Sequence, residues 1–201
     1  MRPILYIDLD NVVYDTVDTI KSMYDEDFRL YSGYIWMPTK EVKHYDFSEL
    51  KFLTPEKLND YFRSGRFFDR VTCLENAEVD IAWLNLFCGY PITFVSIGNP
   101  ENIEGKSLWV ESFNRAWGTG CEFIGTYHWD KSKIDMTGGI LIDDEIKNLQ
   151  NNSAQHSICF GNYMWNADWR GVRVDNWKEL KEFLMKGGYD IVSRTETYNS
   201  R

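Results

Sequence analysis

The chain has 201 residues, 43% hydrophobic and 16% aromatic, which suits one packed domain with a modest insertion and argues against disorder. Its formal net charge of −9 argues against binding a nucleic-acid polymer, which needs Lys and Arg to displace counterions. An anionic small molecule stays possible, because a metal ion and a few lysines can make one locally positive site.

Along the chain, Ile4-Leu5-Tyr6-Ile7 is an apolar run that suits a strand buried on both faces of a parallel sheet. A helical pattern follows, with Val13, Val17, Ile20, Tyr24 and Phe28 on one face. From about 30 to 70 the pattern is irregular and aromatic, with one short helix started by Thr54-Pro55-Glu56. Val79, Ala82, Trp83 and Leu86 mark the next helix, and Ile92-Thr93-Phe94-Val95 the second strand. A helix from about 101 to 117 ends at Gly118, a natural C-cap. Strands at 122–126, 140–142 and 157–160 follow. A last helix starts near Asp175-Asn176, buries Trp177, Leu180 and Leu184, and ends at Gly187-Gly188. The tail, 191–201, is polar and expected to be loose.

Alternating strands and helices predict a three-layer, Rossmann-like α/β core with a mostly parallel, five-stranded sheet. Residues 1–14 and 71–190 form this core, and 15–70 form a small, mainly helical insertion. Ligands of such sheets bind at the carboxyl ends of the strands.

The first strand ends in Asp8-Leu9-Asp10-Asn11-Val12, and the fourth in Ile142-Asp143-Asp144. One acidic pair after a strand reads equally well as a turn or cap. Two pairs on neighbouring strands would bring four carboxylates together, a repulsion that implies a divalent cation, with Mg²⁺ the default. The second strand ends in Ser96-Ile97-Gly98-Asn99. There a hydroxyl and free backbone N–H groups either hold a phosphoryl oxygen or simply cap the following helix. Lys131 and Lys133 lie just upstream of the acidic strand, where either could neutralise a phosphate.

In order, Asp8-Leu9-Asp10, Ser96, Lys133 and Asp143-Asp144 resemble the four motifs of the haloacid dehalogenase (HAD) superfamily of phosphotransferases. Within it the chain looks most like the 5′(3′)-deoxyribonucleotidases. Ser64-Gly65-Arg66-Phe67-Phe68 before Leu74-Glu75-Asn76-Ala77 resembles their Pro-Gly-Phe-Phe segment. Lys133 stands ten residues before Asp143, as in that family, and Val172-Arg173-Val174-Asp175-Asn176-Trp177 resembles its ending. Asn11 stands where Gly is usual, and Ser96-Ile97-Gly98-Asn99 replaces a Thr-Ser-type pair.

The resemblance implies a Mg²⁺-dependent phosphomonoesterase acting on (deoxy)ribonucleoside monophosphates. Asp8 is its nucleophile and forms an aspartyl-phosphate; Asp10 is its acid and base. Asp8, the backbone carbonyl of Asp10, and Asp144 hold the metal, with Asp143 behind them. Ser96, Ile97 and Lys133 hold the phosphate. The insertion becomes a cap, in which Tyr31, Tyr34, Trp36, Tyr45, Phe47, Phe67 and Phe68 either stack on a nucleobase or fill the cap's own core. Trp36, Phe47, Phe67, Phe68 and Lys131 are the substrate-binding candidates.

Other readings are a HAD phosphatase for another small phosphate ester or a nucleic-acid 3′-phosphate, and a non-catalytic binding protein that keeps the fold. The three histidines, His44, His128 and His156, are read as structural. Four cysteines without metal spacing read as buried hydrophobes in a reducing compartment. No charged-then-apolar leader and no membrane-length apolar run is present. The expectation is a cytoplasmic protein without membrane or polymer partners; a homodimer is left open.

Overall fold

The computed structural model describes residues 2–187, so the tail at 191–201 and Gly188 lie outside the described residues. Six strands are formed: β1 (Leu5–Asp8), β2 (Ile92–Ile97), β3 (Glu122–Thr126), β4 (Ile140–Asp143), β5 (His156–Phe160) and β6 (Val172–Val174). They build one sheet in the order β3-β2-β1-β4-β5-β6, with every pairing parallel. The expected five strands are therefore six. β6 escaped the sequence reading because it is three residues long with Arg173 at its centre. That guanidinium donates to the Gly161 carbonyl and to Asn166 rather than facing water.

Seven α-helices connect the strands: α1 (Thr16–Phe28), α2 (Pro55–Arg63), α3 (Gly65–Phe68), α4 (Ala77–Leu86), α5 (Pro100–Trp117), α6 (Ile146–Gln150) and α7 (Trp177–Met185). Their starts follow capping chemistry. Thr54 accepts from Lys57 N, with Pro55 in the first turn of α2. Asn99 accepts from Asn102 N at the head of α5, and Gly118 closes that helix at φ 69°.

Alternate strand residues enter two apolar clusters. Leu5, Ile7, Phe94 and Ile142 pack with residues of α4, α5 and α7. Tyr6, Val95, Leu141 and Cys159 pack with Ile134, Met136 and Leu149 of α6. This two-faced burial explains why β1 and β4 are continuous apolar runs. On α4 the buried residues are Ala77, Asp80, Ile81, Ala82 and Leu84, whereas Val79 and Leu86 are exposed, contrary to the sequence expectation. The helix is apolar nearly all round, so its period did not fix its inner face. A third cluster, from Val17 to Phe67, belongs almost wholly to the segment between β1 and β2.

Candidate active site

β1 lies between β2 and β4, with Asp8 opposite Val95 and Ile7 opposite Ile142. One step further along each strand are Ser96 and Asp143. The sheet order thus gathers the three motif-bearing strand ends at one edge, where parallel α/β sheets bind ligands.

Asp8, Asp10, Asp143 and Asp144 are all buried. Asp8, Asp143 and Asp144 each offer an oxygen within 4.8 Å of the others. The Asp10 carboxylate does not join them, so the expected cluster of four is a cluster of three. Thr16 Oγ1 donates to Asp10 Oδ1 at 2.8 Å, and the Lys106 ammonium pairs with Asp10 Oδ2.

The partners of the trio differ. Lys131 Nζ bridges Asp8 Oδ1 at 2.7 Å and Asp143 Oδ2 at 2.5 Å. Asp143 Oδ1 also accepts from Glu145 N and Asn148 Nδ2. Asp144 Oδ2 accepts from Asn11 Nδ2 at 3.2 Å and Trp165 Nε1 at 3.1 Å, while its Oδ1 is buried without a partner among the described residues. An orphaned carboxylate oxygen is costly in an apolar site. Four carboxylates against two ammoniums, with one oxygen left bare, fit a hard divalent cation held through oxygen. Asp143 already accepts from three donors, Lys131, Glu145 N and Asn148 Nδ2, more than either of the other two carboxylates.

Burial raises the Asp8 carboxyl to about 7, with Asp143 and Asp10 adding to the rise and Lys131 opposing it. Asp144 is pushed well up by burial, then by Asp143 and Asp8. At Lys131 burial works against the ammonium, but Asp143 and Asp8 more than offset it, so the lysine stays charged.

Asn11 shows how this chain departs from glycine at its position. Its φ is 56°, in the left-handed region that Asn tolerates. Its side chain uses that turn to accept from Val17 N and donate to Asp144. Beyond Asp144, the rings of Tyr163 and Trp165 stack at 4.5 Å and 5°. Tyr163 donates to the Asn11 carbonyl at 2.9 Å, and Asn166 Nδ2 to the Asp144 carbonyl. One loop, carrying Tyr163 and Asn166, thus ties the turn after Asp10 to Asp144 at the end of β4.

A cleft opens above Asp8, Asp10, Lys131 and Asp144. Ile97, Gly98 and Asn99 form one wall, and Glu145, Lys147 and Asn148 another. Tyr45, Asn59 and Phe62 of the inserted segment complete its lining. Of the expected substrate-contacting rings, none of Trp36, Phe47, Phe67 and Phe68 lines the cleft. Trp36 is 65% exposed and meets Lys21; Phe47 and Phe67 are buried in the segment's own apolar cluster; Phe68 packs on Gly105 of α5. Tyr45 was among the wider set of candidate rings, and Phe62 was missed.

Lys133 is exposed, and Lys131, not Lys133, lies against the carboxylates. The turn explains the difference: Asp130 Oδ1 accepts from Ser132 N and Oγ, which turns Lys131 inward. Counting ten residues back from Asp143 pointed to Lys133, whereas the lysine that meets the carboxylates is Lys131. Lys106 was missed altogether. Yet a signal existed: Asn102, Lys106, Val110 and Phe113 are the buried stripe of α5, and a lysine on that stripe needs a partner.

The parallel sheet with acidic pairs at the ends of β1 and β4 defines a phosphatase core of the HAD type. Solved structures share this fold. A candidate phosphoglycolate phosphatase from Lactobacillus delbrueckii subsp. bulgaricus aligns at 14% identity and TM-score 0.60, over 90% of this chain and 98% of that one. A candidate phosphatase from Clostridium difficile aligns at 16% and 0.59, over 91% and 98%. A candidate haloacid dehalogenase-like hydrolase from Bacteroides fragilis aligns at 13% and 0.52, over 87% and 97%. No curated protein sequence matches the chain. The family described as "5' nucleotidase, deoxy (Pyrimidine), cytosolic type C protein" matches residues 2–188, and the chain belongs to that family. No helix among the described residues is long and apolar enough to cross a membrane.

Proposed function

We propose that the protein is a Mg²⁺-dependent nucleotidase that hydrolyses (deoxy)ribonucleoside monophosphates through a phosphorylated Asp8. One observation carries this reading: Asp8 at the end of β1 pairs with Lys131 beside an Asp144 whose Oδ1 has no partner among the described residues, in a cleft that Tyr45 and Phe62 also line. The family match supports the nucleotide as substrate, and its cytosolic type supports a cytoplasmic location. Residues 15–70 act as the cap over the core.

Asp8, Asp144 and the Asp10 carbonyl would hold the cation, with Asp143 behind them. When bound, Mg²⁺ screens the phosphate from the carboxylates and withdraws charge from its oxygens. Lys131 takes the role first expected of Lys133: it aligns Asp8 and offers positive charge to an equatorial phosphoryl oxygen. Ser96 and the N–H groups after Ile97 serve the other oxygens. Asp8 attacks phosphorus in line as the bond to the sugar oxygen breaks, and Asp10 gives that oxygen a proton. Asp10 then takes a proton from the water that releases phosphate from Asp8.

The test is phosphate release from a panel of dNMPs, NMPs and sugar phosphates, with and without Mg²⁺. Release from nucleotides above all other esters supports the reading. Preference for a sugar phosphate would leave the chemistry standing and remove the nucleotidase assignment.

A further inference from the structure

Asp10 and Ser96 come from different strand ends but share one partner. Lys106, in the second turn of α5, is fully buried. Its ammonium pairs with Asp10 Oδ2 and donates to Ser96 Oγ at 2.8 Å. A buried ammonium is costly unless paired, so this geometry is not an incidental contact. The residue before it, Gly105, lies under the ring of Phe68. The inserted segment therefore covers the turn that carries the lysine.

An ammonium is a donor only. The Ser96 oxygen must accept from Lys106, which leaves its own hydrogen for a phosphoryl oxygen beside Asp8. The Asp10 carboxylate is fixed at both ends, by Lys106 on Oδ2 and by Thr16 on Oδ1. Each oxygen keeps a further lone pair for a transferred proton. The clamp also holds Asp10 apart from the trio of Asp8, Asp143 and Asp144.

We infer that Lys106 is a positioning residue of the phosphoryl-transfer site, setting both the hydrogen of the Ser96 hydroxyl and the carboxylate of Asp10. The inference rests on the phosphatase reading above but not on which ester is the substrate. In the first half-reaction a bond forms from an Asp8 oxygen to phosphorus, the bond to the leaving oxygen breaks, and the Asp10 proton moves to that oxygen. Lys106 exchanges no proton in this step; it decides where Asp10 stands.

The test compares leaving groups. An alkoxide leaves only with a proton, whereas p-nitrophenolate leaves without one. Lys106→Met keeps the side chain's length and removes its donors. Measured as kcat/KM, which covers only the steps up to alcohol release, the variant should lose about 10²-fold or more on the best alkyl phosphate of the wild type. On p-nitrophenyl phosphate it should lose less than about tenfold, the share owed to Ser96. A merely structural lysine would lower both alike. Because Lys106→Met leaves Asp10 buried without its cation, Asp10→Asn and the double variant Lys106→Met/Asp10→Asn are measured in parallel. With Asp10 already disabled, removing Lys106 should leave the alkyl-to-aryl ratio unchanged. Equal losses on both substrates in Lys106→Met, or a further fall of the ratio between Asp10→Asn and the double variant, overturns the assignment. A wild-type enzyme inactive on every alkyl phosphate overturns the phosphatase reading and this one with it.

Discussion

Gly105 of α5 lies so close beneath Phe68 of α3 that a Cβ at position 105 would stand 2.3 Å from the ring's Cε2. Three residues earlier on the same helix, Asn102 Nδ2 donates to the Phe62 carbonyl at 3.1 Å. These two contacts form the seam between the inserted segment and the sheet-bound helix that carries Lys106. Glycine is the only residue that admits the ring at this distance.

Gly105→Ala should therefore destabilise the protein although alanine is the better helix former. Alanine gains up to about 1 kcal/mol in helix propensity, but overpacking costs roughly 1–3 kcal/mol. With the full propensity gain set against it, a net loss of up to about 2 kcal/mol is expected in chemical denaturation. In a Phe68→Ala background the same substitution should become neutral or stabilising. Additive losses would show that the two residues do not compete for the same space.

The chemistry at the strand ends was legible because position carried it. Asp8, Asp10, Ser96, Asp143 and Asp144 follow apolar runs, and buried parallel strands display their last residues to the ligand edge. The side-chain partners were less legible. Lys131 and Lys133 are two residues apart in a loop, and only the turn closed by Asp130 separates them. The rings of the inserted segment carried no period, so nothing in their order told Phe47 and Phe67, which fill its core, from Tyr45 and Phe62, which face the cleft. β6 was too short and too polar at Arg173 to register as a strand.

Asp8→Asn should abolish turnover and leave the fold intact. It removes the proposed nucleophile and also one charge from a crowded, buried trio. Without divalent cation, the variant should melt no lower than the wild type. Activity above a few per cent in a preparation free of wild-type enzyme would rule out Asp8 as the nucleophile.

Activity should require Mg²⁺ and disappear on chelation, because three buried carboxylates cannot accept a phosphate dianion unaided. Mg²⁺ should also raise the melting temperature of the resting protein by satisfying Asp144 Oδ1. Asp144→Asn should remove that thermal shift together with activity. A shift that survives in Asp144→Asn would place the cation elsewhere.

Lys131→Met should cost far more than Lys133→Met. Lys131 is buried and bridges Asp8 to Asp143, so its loss leaves two carboxylates facing each other uncompensated. A drop of about 10²-fold or more in kcat is expected, the usual size when one fixed charge-stabilising donor is removed. Lys133 is exposed and its replacement should leave kcat within about twofold, since surface charges are screened. Steady-state rates on one substrate decide between them, and comparable losses would restore Lys133 to the site.

Nucleotide recognition should follow the rings that line the cleft. Tyr45 packs edge-on against Trp165 at 6.1 Å, which itself donates to Asp144, so its ring stands in the cleft close to the acidic cluster. Phe62, near the end of α2, lines the same cleft. Stacking on a base is worth about 1–3 kcal/mol, so Tyr45→Ala or Phe62→Ala should raise KM for nucleotides by about tenfold to a hundredfold. Both should spare p-nitrophenyl phosphate, which has no base to stack. Trp36→Ala, on an exposed ring outside the cleft, should change neither. If the inserted segment closes over the sugar as proposed, a 2′-hydroxyl is buried unpaired, which costs about 1–3 kcal/mol. Deoxyribonucleotides should therefore be hydrolysed about tenfold to a hundredfold better than ribonucleotides of the same base. Equal kcat/KM for the two sugars would mean that the cap leaves the 2′ position in water, and that base stacking alone selects the substrate.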